Sequence, residues 1–171
     1  MHRYIVNAIP TAEGALQIAL EEMPVTLCGA KCLVAGNGRI GKVLSQRLKN
    51  LCADVTVSAR KAEDFAKITV QGLKYCQTTQ IGEIIGDFEL VVNTIPAMVF
   101  TSSVLAKADN DCLIIDLASK PGGVDMQAAQ KLGKKVIWAL SLPGKVAPKT
   151  AAGAVKKTIL NIMEERGMQY G

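Results

Sequence analysis

Three glycines carry the most legible chemistry in this chain. The run Lys31-Cys-Leu-Val-Ala-Gly36-Asn37-Gly38-Arg39-Ile40-Gly41-Lys42 passes from a short apolar stretch through Gly36-x-Gly38-x-x-Gly41 into a helix-compatible segment, Val43 to Leu51. Strand, glycine turn and helix in that order are the context of a dinucleotide-binding fingerprint. Gly36 permits the tight turn, Gly38 lets a pyrophosphate approach the backbone, and Gly41 lets the helix pack closely. The helix start then offers unpaired N–H groups and a positive dipole end to the phosphates. Two other readings compete. Gly36-x-x-x-x-Gly41-Lys42 matches most of an NTPase phosphate loop, but that motif ends in a Mg²⁺-binding hydroxyl residue, and Val43 stands there. The second is a structural turn that binds nothing.

The residues after the second apolar run bear on which dinucleotide. Val55-Thr-Val-Ser58-Ala-Arg60-Lys61 has no acid where an NAD enzyme usually binds its ribose hydroxyl; the first is Glu63. Ser58, Arg60 and Lys61 instead offer a hydroxyl and two cations suited to a 2′-phosphate. The absent acid favours NADP over NAD and counts against FAD and a SAM-methyltransferase. The competing reading is two solvated cations at a helix start, where they oppose the dipole.

Three later runs also break abruptly into small or polar residues. They lead into Asn93-Thr94-Ile95-Pro96-Ala97, into Asp116-Leu-Ala-Ser-Lys120-Pro-Gly-Gly123, and into Ser141-Leu-Pro-Gly-Lys145-Val-Ala-Pro-Lys149-Thr150. Asn93, Thr94, Ile95 and Pro96 are expected to line the cofactor cleft. Asp116, Lys120, Lys149 and Thr150 are candidates to bind substrate or relay a proton, and Lys145 is a further cation for carboxylates. Each has an ordinary alternative. Pro-Gly pairs form turns, lysines solvate surfaces, and Asp116 can bond loop N–H groups.

The elements that must position these residues follow from periodicity. Strands are expected at about 31–35, 54–58, 72–76, 89–93, 112–117 and 135–139, as short apolar runs buried on both faces. Helices are expected at about 40–51, 61–69, 79–85, 102–108 and 125–132, with Asp125 capping the last of these. A preceding helix, Thr11 to Met23, is bracketed by Pro10 and Pro24. A final one at about 150–165 places Val155, Ile159, Ile162 and Met163 on one face. The alternation predicts an α/β, Rossmann-like, doubly wound parallel six-stranded sheet with flanking helices. Residues 1–24 read as an interdomain-type helix, and 25–171 as an NAD(P)-binding domain ending in a C-terminal helix.

Composition fits that picture. Of 171 residues, 49% are hydrophobic, enough for a sizeable core. No apolar run reaches the length of a membrane span, and no secretory signal pattern opens the chain, so a cytoplasmic protein is expected. A net charge of +5 without basic–aromatic clusters argues against nucleic acid. Cys28, Cys32, Cys52, Cys76 and Cys112 have no metal-ligand spacing and read as buried free thiols in a reducing compartment. With His2 as the single histidine, no metal site is expected.

Taken with its loops, the sequence resembles the family of dipicolinate synthase A subunits. The resemblance rests on Asn7-Ala-Ile-Pro-Thr-Ala-Glu-Gly-Ala15, Thr56-Val-Ser-Ala-Arg-Lys61, Asn93-Thr-Ile-Pro-Ala97, Ile114-Ile-Asp-Leu-Ala-Ser-Lys-Pro-Gly-Gly123 and Leu142-Pro-Gly-Lys-Val-Ala-Pro-Lys-Thr150. It runs from about Asn7 to the final helix. It implies oxidation of a dihydrodipicolinate-type dicarboxylate to dipicolinate in spore formation, with NADP as hydride acceptor. It also implies a flavoprotein-like B-subunit partner, a homo-oligomer, and the mother-cell cytoplasm of a sporulating bacterium. The family carries an additional N-terminal domain ahead of Asn7-Ala-Ile-Pro, whose substrate contacts lie outside this sequence. The reading from another class is a non-catalytic NAD(P)-binding module, regulatory or docking.

Overall fold

A computed structural model describes residues 7–150, 152, 153 and 156. The strands are β1 (Lys31–Ala35), β2 (Asp54–Ala59), β3 (Lys74–Gln77), β4 (Leu90–Asn93), β5 (Leu113–Asp116) and β6 (Val136–Trp138). The helices are α1 (Ala8–Glu22), α2 (Arg39–Asn50), α3 (Ala62–Val70), α4 (Ile81–Ile84), α5 (Ser102–Leu105), α6 (Met126–Lys131) and α7 (Leu142–Val146). The six strands form one sheet in the order β3-β2-β1-β4-β5-β6, with every neighbour parallel. This is the doubly wound order, and the chain reverses direction across the sheet between β1 and β4.

Alternation along the strands builds a core on each face. Cys32, Val34, Val55, Val57, Val92 and Ile115 face one side, where Ala12, Ala15 and Ala19 of α1, Leu44 and Leu48 of α2 and Ile68 of α3 cover them. Leu33, Ala35, Val91 and Ile114 face the other, under Ile81, Ile85, Leu105, Ala128 and Ala129. The alanines and Gly14 of α1 let it lie close. A Cβ on Gly14 would stand 2.9 Å from Val146 of α7.

Helix ends differ from expectation in two places. α1 starts at Ala8, so Pro10 lies inside its first turn instead of before it. The first-turn N–H groups of a helix have no partner within it, so a proline there costs no hydrogen bond. α1 stops where Met23, which precedes Pro24, turns extended. Leu142-Pro-Gly-Lys-Val, read as loop, forms α7 with Pro143 in its first turn. Asp125 caps α6, accepting from the Ala128 N–H at 2.9 Å. The helix expected at about 150–165 and its Val155, Ile159, Ile162 and Met163 fall outside the described residues, apart from helical positions at 150, 152, 153 and 156. So does His2.

The cysteines divide into two groups. Cys32 and Cys112 are buried in strand cores and Cys76 is half-buried, but Cys28 and Cys52 are exposed. The exposed pair lies in turns, where no sheet face covers a side chain, and Cys52 adopts φ 63°. Burial pushes the Cys32 and Cys112 thiols up to about 12, and Cys76 to about 11. A thiol-reactive disulfide reagent at neutral pH is therefore expected to titrate two thiols rapidly in the native protein and all five after unfolding. Rapid reaction of four or five thiols in the native state would contradict this packing.

Candidate functional site

The site lies at the carboxyl ends of β1, β2 and β4, where the sheet order reverses. β1 hands the chain to Gly36, whose N–H donates to the Ser58 carbonyl at 3.1 Å and reaches the Ser58 hydroxyl at 3.3 Å. Gly36 has φ +102°, and a Cβ there would meet Thr94 Oγ1 at 2.6 Å. Thr94 is itself fixed, its hydroxyl donating to the Ala35 carbonyl at 2.8 Å. Gly41, one turn into α2, is buried, and a Cβ there would collide with the Gly36 carbonyl oxygen. Both glycines are demanded by the chain's own atoms.

Gly38 is not. It caps α2 in an extended conformation, φ −77° and ψ −167°, open to any residue. Among the described residues, no heavy atom beyond its chain neighbours lies within 4 Å of where its Cβ would be. Nothing among the described residues calls for glycine here. No side chain caps the first turn of α2, and that turn contains no acid. The positive dipole end of α2 is thus not offset by a cap or an acid of its own first turn.

A cleft of about 330 Å³ opens at this turn. It is lined by Gly36, Asn37 and Gly38 of the turn, by Thr94, Ile95 and Pro96 after β4, and by Arg60 and Lys61 after β2. Eight of the residues expected at the cofactor are therefore together. Arg39 and Ile40 lie on the opposite side of the turn. With Gly38, Thr94, Asn7, Ala8 and Thr11 they line a second hollow of about 340 Å³, against the start of α1.

Three expected residues sit behind these surfaces. Ser58 is fully buried, its hydroxyl taken by the Gly36 N–H and by Thr78 Oγ1 at 3.4 Å. It braces the turn and does not face the cleft, because strand alternation turns it inward one residue before β2 ends. Asn93 is also fully buried. Its amide donates to Asp116 Oδ1 at 2.8 Å and to the Ile95 carbonyl at 3.1 Å, and its oxygen accepts from the Ile95 N–H at 3.0 Å. Asp116, 1% exposed, also accepts from the Ala118 N–H at 3.0 Å and the Gly123 N–H at 2.9 Å. It shapes the loop after β5 from within. Lys120, Lys145, Lys149 and Thr150 are exposed on loops and helix after β5 and β6, and none lines the cleft.

Three cleft residues escaped sequence reading: Ala59 at the end of β2, Asp64 and Thr78. Asp64, in the first turn of α3, points back to the glycine turn and accepts from Asn37 Nδ2 at 3.3 Å. Thr78 follows β3. The rule that ligands gather after strand ends would have found Thr78. Asp64 required knowing where α3 begins. Among the described residues, no group of three or more His, Cys, Asp and Glu side chains could hold a metal, and no helix is long and apolar enough to cross a membrane.

No family model matches the chain. The dipicolinate synthase A subunit of Bacillus subtilis is 39% identical over 167 residues, 95% of this chain and 56% of that protein. The crystal structure of the dipicolinate synthase A subunit from Bacillus halodurans superimposes with a TM-score of 0.90 at 38% identity, over 93% of this chain and 55% of that one. A transhydrogenase from Sinorhizobium meliloti shares the fold, with a TM-score of 0.83 at 20% identity over 98% of this chain and 57% of that one. The chain thus spans a little more than half of the relatives it matches. Over that span, the resemblance to dipicolinate synthase A subunits carried by its loops is a match in both sequence and fold.

Proposed function

We propose that this chain is the cofactor-binding part of an NADP-dependent oxidoreductase of the dipicolinate synthase type. The observation that carries the reading is Gly38, a glycine with no internal reason to be one, at an uncapped helix start and in a cleft that two cations also line. Gly38 and the first N–H groups of α2 would hold the pyrophosphate, with Gly36 shaping the turn through its bond to Ser58. Arg60 and Lys61 would hold the 2′-phosphate. Thr94, Ile95 and Pro96 would flank the cofactor toward the second hollow. When bound, NADP supplies a hydride acceptor, and the chain's task is to orient it and exclude water.

The substrate proposed is a dihydropyridine dicarboxylate, oxidised to dipicolinate in the mother-cell cytoplasm during spore formation. Lys120, Lys149 and Thr150 stand on the carboxyl-end side of the sheet and would collect its carboxylates. The working enzyme would be a homo-oligomer joined to a flavoprotein-like B-subunit partner. A second reading, a binding module without turnover, is favoured by Asp116. Its oxygens bond three N–H groups, so it is not positioned to relay a proton.

Arg60→Ala should weaken NADPH binding by roughly ten-fold or more and leave NADH within about two-fold. Equal NADPH and NADH affinity in the parent, unchanged by Arg60→Ala, would overturn the 2′-phosphate assignment. Mixing the chain with a B-subunit protein and substrate separates enzyme from module. An NADP-dependent ultraviolet signal of dipicolinate supports the enzyme, and its absence supports the module.

A further inference from the structure

The cleft contains a carboxylate that a pure 2′-phosphate site would not need. Asp64 is half-buried and lines the same hollow as Arg60 and Lys61. Its Oδ1 accepts from the amide of Asn37, the residue between Gly36 and Gly38. That bond reaches from the glycine turn to α3 and holds the carboxylate in the cleft that Arg60 and Lys61 also line. Asp64 and Glu63 are the two acids in the first turn of α3 and both suit its dipole, but of the two only Asp64 lines the cleft. Lys61 does not neutralise Asp64; its ammonium pairs loosely with Glu63, at 3.8 Å on the exposed surface.

We infer that Asp64 is a specificity-determining residue for the dinucleotide, working against Arg60 and Lys61. The inference rests on the reading of this cleft as an NADP site. A carboxylate accepts hydrogen bonds from ribose hydroxyls and repels a phosphate on the same ring. Arg60 and Lys61 do the reverse. The preference of the cleft is then the balance of two cations against one carboxylate, and the chain retains measurable affinity for NADH. The tether from Asn37 keeps the carboxylate in place whichever dinucleotide enters.

The test is titration of the whole chain with NADPH and NADH at low and high salt. Asp64→Asn keeps the size of the side chain and an oxygen for Asn37 but removes the charge. NADPH should bind roughly three- to ten-fold tighter and NADH weaker, and the NADPH gain should shrink at high salt. Asp64→Ala should shift the ratio in the same direction, which separates charge from tether. A ratio that moves less than about two-fold in both variants, or moves toward NADH, overturns the inference. If the parent binds neither dinucleotide, the cleft reading fails first and this one with it. If the parent binds both and Arg60→Ala acts as expected, only the role of Asp64 is at stake.

Discussion

Gly38→Ala should leave the protein folded and nearly as stable while weakening NADPH binding at least about ten-fold. Two small terms oppose each other in the fold. Alanine at an extended position restricts the unfolded chain, a gain of about 0.4–1 kcal/mol. Alanine is also a poorer helix cap than glycine, by roughly the same amount. With no heavy atom of the described residues, beyond its chain neighbours, within 4 Å of the new Cβ, no steric cost is added. The methyl instead fills the surface where, in the proposed site, a pyrophosphate would touch backbone. Gly41→Ala should give the opposite pattern. Its Cβ runs into the Gly36 carbonyl oxygen, which belongs to a turn held by Ser58 and Thr94. Backbone cannot yield as a side chain can, so a loss of about 3 kcal/mol is expected, or roughly 5–10 °C in Tm. Thermal melts and NADPH titrations of the two variants check both halves. A Gly38→Ala protein that binds NADPH like its parent would remove the basis for the cradle.

These two glycines also show what sequence reading reaches. The spacing Gly36-x-Gly38-x-x-Gly41 between an apolar run and a helical one identified the turn, because Gly36 and Gly41 answer demands of the local backbone. The strands were legible for the same reason. Runs such as Leu90-Val-Val and Leu113-Ile-Ile are short and continuous and became buried strands, whereas β3, Lys74-Tyr-Cys-Gln, lies at the sheet edge with its residues mostly exposed and is not the buried apolar run expected there. Arg60 and Lys61 reached the cleft because side chains just beyond a strand end are free to face it. Ser58 did not, and the difference is a matter of alternation. One residue inside the strand, its direction is set by the pleat, and sequence alone leaves the phase at a strand end undetermined. Cys28 and Cys52, expected to be buried, are exposed for a related reason, since a turn between apolar runs looks apolar in sequence but lies on the surface. Asn93 and Asp116 illustrate another limit. Both are polar residues at strand ends, the signature of a site, yet they bond to each other across β4 and β5. Pairing between strands that are 23 residues apart is a tertiary fact.

That pairing leads to the second large effect. Asp116→Ala should destabilise the protein by about 4 kcal/mol, or roughly 10 °C in Tm. Removal of the carboxylate strands three donors in a dry interior: the Asn93 amide, the Ala118 N–H and the Gly123 N–H. Each unpaired buried donor costs about 1–3 kcal/mol, and relaxation recovers part of the sum. Little relaxation is available. The Gly123 carbonyl accepts from both Val99 and Phe100, and a Cβ at Gly123 would collide with the Asn93 amide, so the loop after β4 and the loop after β5 are locked together. Asp116→Asn should cost less, about 1–3 kcal/mol, because its single oxygen can serve two of the three donors. The comparison separates structure from chemistry. A proton relay at Asp116 would give an Asp116→Asn protein that melts like its parent and fails only in turnover. A brace would give one that melts lower yet still binds NADPH, because the turn at Gly36–Gly38 stands on Ser58 and Thr94 instead. Denaturant melts with paired NADPH titrations decide between them, and a parental melting temperature for Asp116→Asn would return the residue to the catalytic candidates.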